Sequence, residues 1–263
     1  MRVLVEGLVF GESARWHEGR LWVCDWGTGE VIAVGADGAT EVVVRVPSYP
    51  LCIDWLPDGR MLAVSGGDGR LLRLEADGRL ATHAELGELS SGRWNEVTVD
   101  GRGNAYVNGG EGVIARADAH GAAEVVATEL AFPNGMVVTP DGSTLIVAES
   151  HASRLTAFDI SPENGTLGRR RVWAALGDAA PDGIAVDDGA LWYADVPHQR
   201  CVRVAEGGQV LDQVEVDRGC FSCAVSGDGT LFIVATEWHG FEQMFTGPRT
   251  GQVLAHSPAP LGC

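Results

Sequence analysis

The chain has 263 residues, of which 45% are hydrophobic, and its 36 acidic side chains outnumber its 19 basic ones to give a formal net charge of −17. This length and apolar content predict a folded chain with a large buried core and exclude a disordered one. Every basic residue is arginine, and no basic stripe could neutralise a phosphate backbone, so we expect no nucleic-acid partner. No apolar run approaches the roughly 20 residues that cross a bilayer, and the first residues lack the apolar stretch of a secretory signal. We therefore expect a cytoplasmic protein without membrane contact.

The six cysteines are scattered along the chain, at positions 24, 52, 201, 220, 223 and 263. A large chain without a secretory signal is typical of compartments that keep thiols reduced, so we expect no disulfide framework. Cys220 and Cys223 have the spacing of a metal or redox pair, but no second pair of this kind accompanies them. We expect them to have a structural role.

A tight turn followed by an apolar strand recurs six times along the chain. The turn glycines lie 39 to 47 residues apart, and they are Gly19, Gly59, Gly103, Gly142, Gly189 and Gly229. Asp-Gly pairs at several of these turns supply the positive φ that tight hairpins need, and no segment has a sustained helical period. Units of this length with four strands are typical of β-propellers. We predict an all-β, six-bladed propeller with four-stranded antiparallel blades, spanning residues 1–263 as a single domain; a solenoid would need polar caps that the sequence lacks.

The two ends of the chain supply the strands that would close the predicted ring. The N-terminal run 2–5 and the C-terminal run 251–255 are both rich in residues that favour strands. We predict that they lie side by side in one blade made from both ends.

Polar residues stand just before the first strand of four of the six units. They are Glu12, Asn95, Asn134 and Asp182, in units one, three, four and five. Because the innermost strands of a propeller surround its central channel, we expect these side chains to converge at one mouth. Pro-Asn-Gly and Pro-Asp-Gly are also good turn sequences, but their coincidence with the other two residues favours a site.

The donor chemistry of this set indicates a hard cation. Glu12, Asn134 and Asp182 offer only oxygen atoms, which Ca²⁺ prefers, although Mg²⁺, Mn²⁺ and Zn²⁺ also accept carboxylate oxygen. The two negative charges of Glu12 and Asp182 would balance the charge of one divalent ion. The sequence therefore predicts one divalent metal, with Ca²⁺ favoured.

Four ordered motifs resemble the signatures of the regucalcin/gluconolactonase-like family, also called the senescence marker protein/luciferin-regenerating enzyme family. The motifs are residues 11–16 (GESARW), 92–96 (GRWNE), 133–136 (PNGM) and 181–184 (PDGI). The resemblance extends over essentially the whole chain. It implies a six-bladed propeller, in agreement with the repeat count.

The resemblance also implies a function and roles for individual residues. Residues matching Glu12, Asn134 and Asp182 bind a divalent metal in the channel. The residue matching Asn95 lies beside the metal and contacts substrate or water there, and the one matching Arg93 holds substrate hydroxyls. The implied activity is the hydrolysis of sugar lactones, in which the metal polarises the carbonyl and Asp182 acts as the base. Metal coordination weakens a carboxylate as a base, so Asp182 could instead only position the attacking water.

Two residues depart from the family pattern, which often reads Arg-Phe-Asn-Asp at the second motif. Trp94 replaces the phenylalanine, and we expect it to add bulk near the mouth. Glu96 replaces the aspartate and is longer, so it either disturbs the support of Asn95 or repacks.

Other polar and aromatic residues fall in loops that would surround the same mouth. The polar candidates are Asp25, Glu111, Glu149, His151, Asp195, His198, Glu237 and His239. His198 and His239 have the chemistry to bind substrate or relay protons, although a single loop histidine is more typical of a plain surface. Trp26 and Trp238 would form an apolar wall for a larger substrate.

Two other functions stay open beside a metal-dependent lactonase. One is a non-hydrolytic cyclase or isomerase of secondary metabolism that uses the same metal pocket. The other is a metal-binding propeller without catalysis. The sequence has no Gly-x-Ser-x-Gly elbow and no Gly-x-Gly-x-x-Gly opening a helix, so we expect neither an acyl-enzyme nor a nicotinamide cofactor.

Overall fold

The computed structural model describes residues 1–109 and 111–257, and its regular structure consists of short strands with two single-turn 3-10 helices, Ser150–Ala152 and Phe241–Gln243. The strands are β1 (Arg2–Leu8), β2 (Gly11–His17), β3 (Arg20–Asp25), β4 (Glu30–Val34), β5 (Thr40–Arg45), β6 (Ile53–Trp55), β7 (Met61–Ser65), β8 (Arg70–Leu74), β9 (Leu80–Glu85), β10 (Trp94–Val99), β11 (Ala105–Gly109), β12 (Val113–Ala117), β13 (Ala123–Ala127), β14 (Pro133–Val138), β15 (Thr144–Glu149), β16 (Arg154–Ile160), β17 (Leu167–Ala175), β18 (Pro181–Asp187), β19 (Ala190–Asp195), β20 (Arg200–Val204), β21 (Val210–Glu215), β22 (Gly219–Val225), β23 (Leu231–Thr236) and β24 (Gly251–His256). In this part of the chain no helix is long and apolar enough to cross a bilayer.

These strands form six four-stranded antiparallel sheets, which are the blades of a propeller. Blades 1 to 5 take their strands in chain order, from β2–β5 to β18–β21, and blade 6 has the order β22-β23-β24-β1. The first strand of each blade packs beside the first strands of its neighbours, so these six inner strands surround the central channel. The predicted six-bladed propeller is confirmed.

The turns that gave the sequence its repeat join the first two strands of each blade. All six turn glycines have positive φ, for example +83° at Gly59 and +72° at Gly142. A side chain at either position would meet open space, so the backbone conformation alone requires glycine there.

The core lies between the blades. Six clusters of buried apolar side chains occur in the described residues, one at each interface between neighbouring blades. The five cysteines of this part are all buried and free, which confirms the prediction of reduced thiols for them, and Cys263 lies outside the described residues. Cys220 and Cys223 pack with Cys201 in the cluster between blades 5 and 6.

The ring closes where the two ends of the chain meet in blade 6. Strand β1 is antiparallel to β24, with Val3 opposite Leu254 and Leu8 opposite Gly251, as predicted. Leu8 is only 4% exposed and packs in the cluster between blades 6 and 1. This pairing joins both ends of the chain in one blade and so closes the ring.

Leu8→Ala tests the contribution of this seam. We expect a loss of about 3 kcal/mol in the free energy of unfolding, because the change opens a cavity in a packed cluster. Val3→Ala on the same strand is the control, since Val3 is 45% exposed and should cost less than about 0.5 kcal/mol. Urea unfolding of the three proteins measures both values, and equal stability of the two variants would contradict the packed seam.

Candidate active site in the central channel

Bulges at the beginning of the inner strands bring the predicted site residues to one end of the channel, which we call the mouth. The pairing of β18 with β19 shifts register between Pro181 and Ile184, around Asp182. A corresponding shift in β14 surrounds Asn134, and the one in β10 surrounds Asn95. A bulge re-aims side chains by adding one residue to one strand of a pair. The residues predicted to lie before the first strand therefore lie inside it.

The glycine that follows Asn134 has a role in packing the blades together. A methyl group on Gly135 would lie 2.5 Å from the carbonyl oxygen of Asp182, and Gly135 has no positive φ. Only glycine lets the inner strands of blades 4 and 5 approach this closely. The Pro-Asn-Gly sequence is thus a strand beginning at a tight contact between blades, which brings Asn134 and Asp182 near each other.

Glu12 and Asp182 are the two buried acidic residues of the predicted ligand set, 6% and 8% exposed. Burial raises the pKa of Glu12 well above its ordinary value, and the negative charges of Asp182 and Glu96 raise it further. Burial also raises the pKa of Asp182, with a further contribution from Glu96. Asp182 Oδ1 is buried and has no hydrogen-bond partner in the described part of the chain. It is therefore an acceptor available to a ligand.

The two predicted amides are in direct contact. Asn95 Nδ2 donates a hydrogen bond of 2.9 Å to Asn134 Oδ1, and Asn95 Oδ1 is buried without a partner among the described residues. Asn108, which the sequence reasoning missed, donates from Nδ2 to the carbonyl oxygen of Asn134. The equivalent position of the second strand is apolar in other blades, for example Ala148 and Ala194. A polar residue at this otherwise apolar position was the sequence signal that could have identified Asn108.

Glu96 repacks onto an arginine of another blade. Arg15 on β2 donates from its NH2 group to Glu96 Oε1 at 2.7 Å and to the carbonyl oxygen of Val97 at 3.0 Å. The hydrogen bond of Asn95 to Asn134 is still present. The longer side chain therefore replaces aspartate without displacing Asn95.

The channel contains more negative than positive side chains. Glu12, Asp54, Glu96 and Asp182 lie within electrostatic range of one another or of Arg15. If all five groups were ionised, three negative charges would remain uncompensated, and burying such charges is costly. The surplus must be relieved by protons or by a cation.

The donors fit a divalent cation. Free oxygen atoms of Asp182 and Asn95 are buried at the channel, and Glu12 and Asn134 add oxygen donors of the kind that hard cations prefer. Within residues 1–109 and 111–257 no three His, Cys, Asp or Glu side chains form a metal-binding group. The residues that could hold such an ion are Glu12, Asn134 and Asp182, with Asn95 beside them.

The two other residues of the second motif lie away from the channel centre. Arg93 is exposed at the rim of the mouth, where it donates a hydrogen bond of 2.8 Å to the carbonyl oxygen of Tyr49. Its guanidinium carbon lies 4.4 Å from the centre of the Tyr49 ring. The expectation for Trp94 was wrong, since it is fully buried in the cluster between blades 2 and 3. Its ring packs among apolar side chains of both blades, so it adds no bulk to the channel.

Three of the other acidic candidates hold the loops that lead into the site. Asp25 accepts hydrogen bonds from the backbone N–H groups of Val9 and Phe10. Glu149 and Asp195 occupy the same place in blades 4 and 5, and they accept from the N–H groups of Ala131 and Ala180. The three loops lead to Glu12, Asn134 and Asp182. These carboxylates therefore hold the loops that carry the predicted ligands.

The histidines and the remaining acids lie in loops at the rim. His198 Nδ1 is 2.9 Å from Asp195 Oδ2, and His151 stacks on Phe132 with ring centres 4.4 Å apart. His239 Nε2 is 3.6 Å from Glu237, and Ser91 donates to Glu111. Each has a partner in its own part of the rim.

Replacing Glu149 tests the positioning role of these carboxylates. Although burial opposes it, hydrogen bonds from Arg154, the Ala131 N–H and Thr156 lower the pKa of Glu149 to about 2. A lowered pKa stabilises the fold above the ordinary value near 4.5, and this contribution is lost as the pH falls through 2. We expect Glu149→Gln to lower the free energy of unfolding by about 3 kcal/mol at pH 7, and by much less near pH 2.

Asp58→Asn is the matched control for this change. Asp58 also has a lowered pKa, owing first to its hydrogen bond from Arg60, but it lies in an exposed turn. We expect no measurable change in its urea unfolding curve. Equal effects of the two substitutions at pH 7 would contradict a special role for Glu149.

Comparison with known proteins places the chain in a family. Residues 10–237 match the family described as the SMP-30/Gluconolactonase/LRE-like region. The chain belongs to this family. The match includes all four motifs and every inner strand of the propeller, so the resemblance drawn from the motifs is confirmed.

Individual relatives are similar over most of their length. A 6-deoxy-6-sulfogluconolactonase of Pseudomonas putida is 28% identical over 208 residues, which are 70% of this chain and 71% of the relative. A pentonolactonase of Haloferax volcanii is 27% identical over 246 residues, 82% of this chain and 83% of the relative. The calcium-binding protein regucalcin of Agrobacterium tumefaciens superposes with a TM-score of 0.80 at 23% identity, covering 97% of this chain and 92% of that one.

Proposed function

We propose that this protein is a divalent-metal-dependent lactonase that opens a small lactone to its hydroxy acid. The observation that carries the proposal is the pair of buried carboxylates, Glu12 and Asp182, in a channel with surplus negative charge and a free Asp182 Oδ1. The family supports it, and so do the names of two relatives, a 6-deoxy-6-sulfogluconolactonase and a pentonolactonase.

Glu12, Asn134 and Asp182 would hold the metal, with Asn95 beside them. We favour Ca²⁺, since the donors are all oxygen and one structural neighbour is named a calcium-binding protein; Zn²⁺, Mn²⁺ and Mg²⁺ are the alternatives. When bound, the cation polarises the lactone carbonyl.

The chain's own residues would carry the proton transfers. Asp182 accepts a proton, on the carboxylate oxygen that does not hold the metal, from the water whose oxygen attacks the carbonyl carbon. The bond between that carbon and the ring oxygen then breaks, and the proton on Asp182 passes to the ring oxygen. The amide of Asn95, held by Asn134, orients the ring, and Arg93 at the rim binds substituents that reach it.

Asp182→Asn tests the base. We expect turnover to fall by about 10²- to 10⁴-fold, because the amide cannot accept the proton, while the circular dichroism spectrum stays that of the folded protein. Asp187→Asn is the control, since Asp187 lies at the other end of β18 and pairs with Arg203. It should retain turnover, and an active Asp182→Asn would refute the assigned role.

Metal dependence has a readout that does not need turnover. At a concentration 100 times its dissociation constant, a ligand of the native state adds about 2.7 kcal/mol of stability, which for a chain of this size raises Tm by about 5 °C or more. We expect one of Ca²⁺, Mn²⁺, Mg²⁺ or Zn²⁺ to produce this shift in chelated wild-type protein and in Asp187→Asn, but not in Asp182→Asn.

Turnover should disappear on chelation and return with the same metal. A shift in Tm without hydrolysis of any lactone would favour a metal-binding propeller without catalysis. Turnover of chelated protein with no shift for any of the four metals would refute the metal dependence.

A further inference from the structure

Seven aromatic side chains form a continuous series along one side of the mouth, which we call the aromatic arc. Neighbouring ring centres within it are 4.7 to 6.4 Å apart. Its members are Phe10, Trp26, Tyr49, Phe221, Trp238, Phe241 and Phe245. Phe10 is only 2% exposed, contacts four of the others and lies two residues before Glu12, so the buried centre of the arc adjoins the strand that carries Glu12.

The arc and the amides come from opposite halves of the ring. Its members lie in blades 6 and 1 and in the loop that leads into blade 2, all at the face where the inner strands begin. Asn95, Asn134 and Asp182 come from blades 3, 4 and 5. The mouth is therefore aromatic on one side and carries the two amides and Asp182 on the other, with Glu12 of blade 1 on the aromatic side.

A long loop in blade 6 supplies three members of the arc. Residues 237–250 join β23 to β24, and these fourteen residues compare with three or four in the corresponding loops of the other five blades. Two hydrogen bonds hold the ends of this loop. Arg218 donates to the carbonyl oxygen of Thr250 at 2.6 Å, and Thr250 Oγ1 accepts from the N–H of Glu237 at 3.2 Å. Only its first residue falls within the region matched to the family, residues 10–237.

Two aromatic rings of this loop face solvent beside the mouth. Phe241 is 71% exposed and Phe245 is 36% exposed, and clustered exposed apolar surface of this kind marks binding sites. Two polar groups of the arc are already used, since Trp26 Nε1 donates to the carbonyl oxygen of Leu51 at 2.7 Å and the carbonyl oxygen of Tyr49 accepts from Arg93. The rings of Phe241 and Phe245 carry no polar atom, so hydroxyl groups placed against them would lose their water partners without replacement.

We propose that the substrates are lactones that carry an apolar substituent of aryl size, rather than polyhydroxylated sugar lactones. The lactone ring would lie among Glu12, Asn95 and Asp182, and the substituent would cover the aromatic arc. This inference rests on the proposed lactonase function.

The first test compares rates for three lactones in metal-loaded wild-type protein. We expect kcat/KM for γ-phenyl-γ-butyrolactone to exceed that for D-glucono-δ-lactone by about 10²-fold, because an aromatic pocket favours aryl groups and leaves hydroxyls unpaired. Unsubstituted γ-butyrolactone gives the reference. An equal or higher value for the gluconolactone would overturn the inference while leaving the lactonase function standing.

Variants connect this preference to the arc. Trp238→Ala combined with Phe241→Ala should lower the ratio of kcat/KM for phenylbutyrolactone to that for butyrolactone by about tenfold or more. Phe241→Ala alone removes an exposed ring and keeps the fold, and it should lower the same ratio. The control is Trp16→Ala, since Trp16 stacks on Phe232 at the opposite face of the propeller, and it should leave the ratio unchanged. An unchanged ratio in the double variant would overturn the inference.

A binding measurement separates the two proposals if no lactone is hydrolysed. The probe is γ-phenyl-γ-butyrolactam, which resists hydrolysis, and the measurement is calorimetry on folded protein. We expect the double variant to bind it about tenfold more weakly than wild type or Trp16→Ala. In that case the lactonase function fails and the aromatic subsite stands; equal affinities for all three proteins would remove the subsite as well.

Discussion

Surplus negative charge enclosed in the central channel is the constraint on which the site depends. Glu12 and Asp182 are buried on separate blades, and each has a raised pKa for which burial is the first cause. The one arginine among them, Arg15, is committed to Glu96. Such an arrangement is costly without a counter-charge, and its free oxygen atoms give a cation the ligands it prefers. The charge pattern therefore makes cation binding the simplest account of why these carboxylates are kept together.

A second set of carboxylates holds the first set in place. Asp25, Glu149 and Asp195 end the second strands of blades 1, 4 and 5, and each accepts backbone N–H groups from the loop leading to a predicted ligand. Bulges in the inner strands re-aim the predicted ligand side chains at the mouth. Precise placement by supporting groups is what an electrostatic site requires.

Features fixed by local chemistry could be predicted from the sequence. The six turns can be recognised in the sequence because only glycine takes their positive φ without strain. The apolar strands at the two ends of the chain likewise predicted the closure of the ring. Features set by contacts between blades could not be predicted from the sequence. Trp94 is buried between two blades, Glu96 meets Arg15 from two blades away, and Asn108 supports Asn134 across a blade interface. The sequence motifs predicted the ligand residues, but the loops that Asp25, Glu149 and Asp195 hold become visible only in the fold.

The most direct test of the metal site is a crystal structure of the wild-type protein grown with Ca²⁺. The account predicts one cation in the channel, with oxygen atoms of Glu12, Asn134 and Asp182 within about 2.3–2.6 Å of it. A channel that contains only water at saturating Ca²⁺, Mn²⁺, Mg²⁺ or Zn²⁺, or a cation bound by other residues, would contradict it.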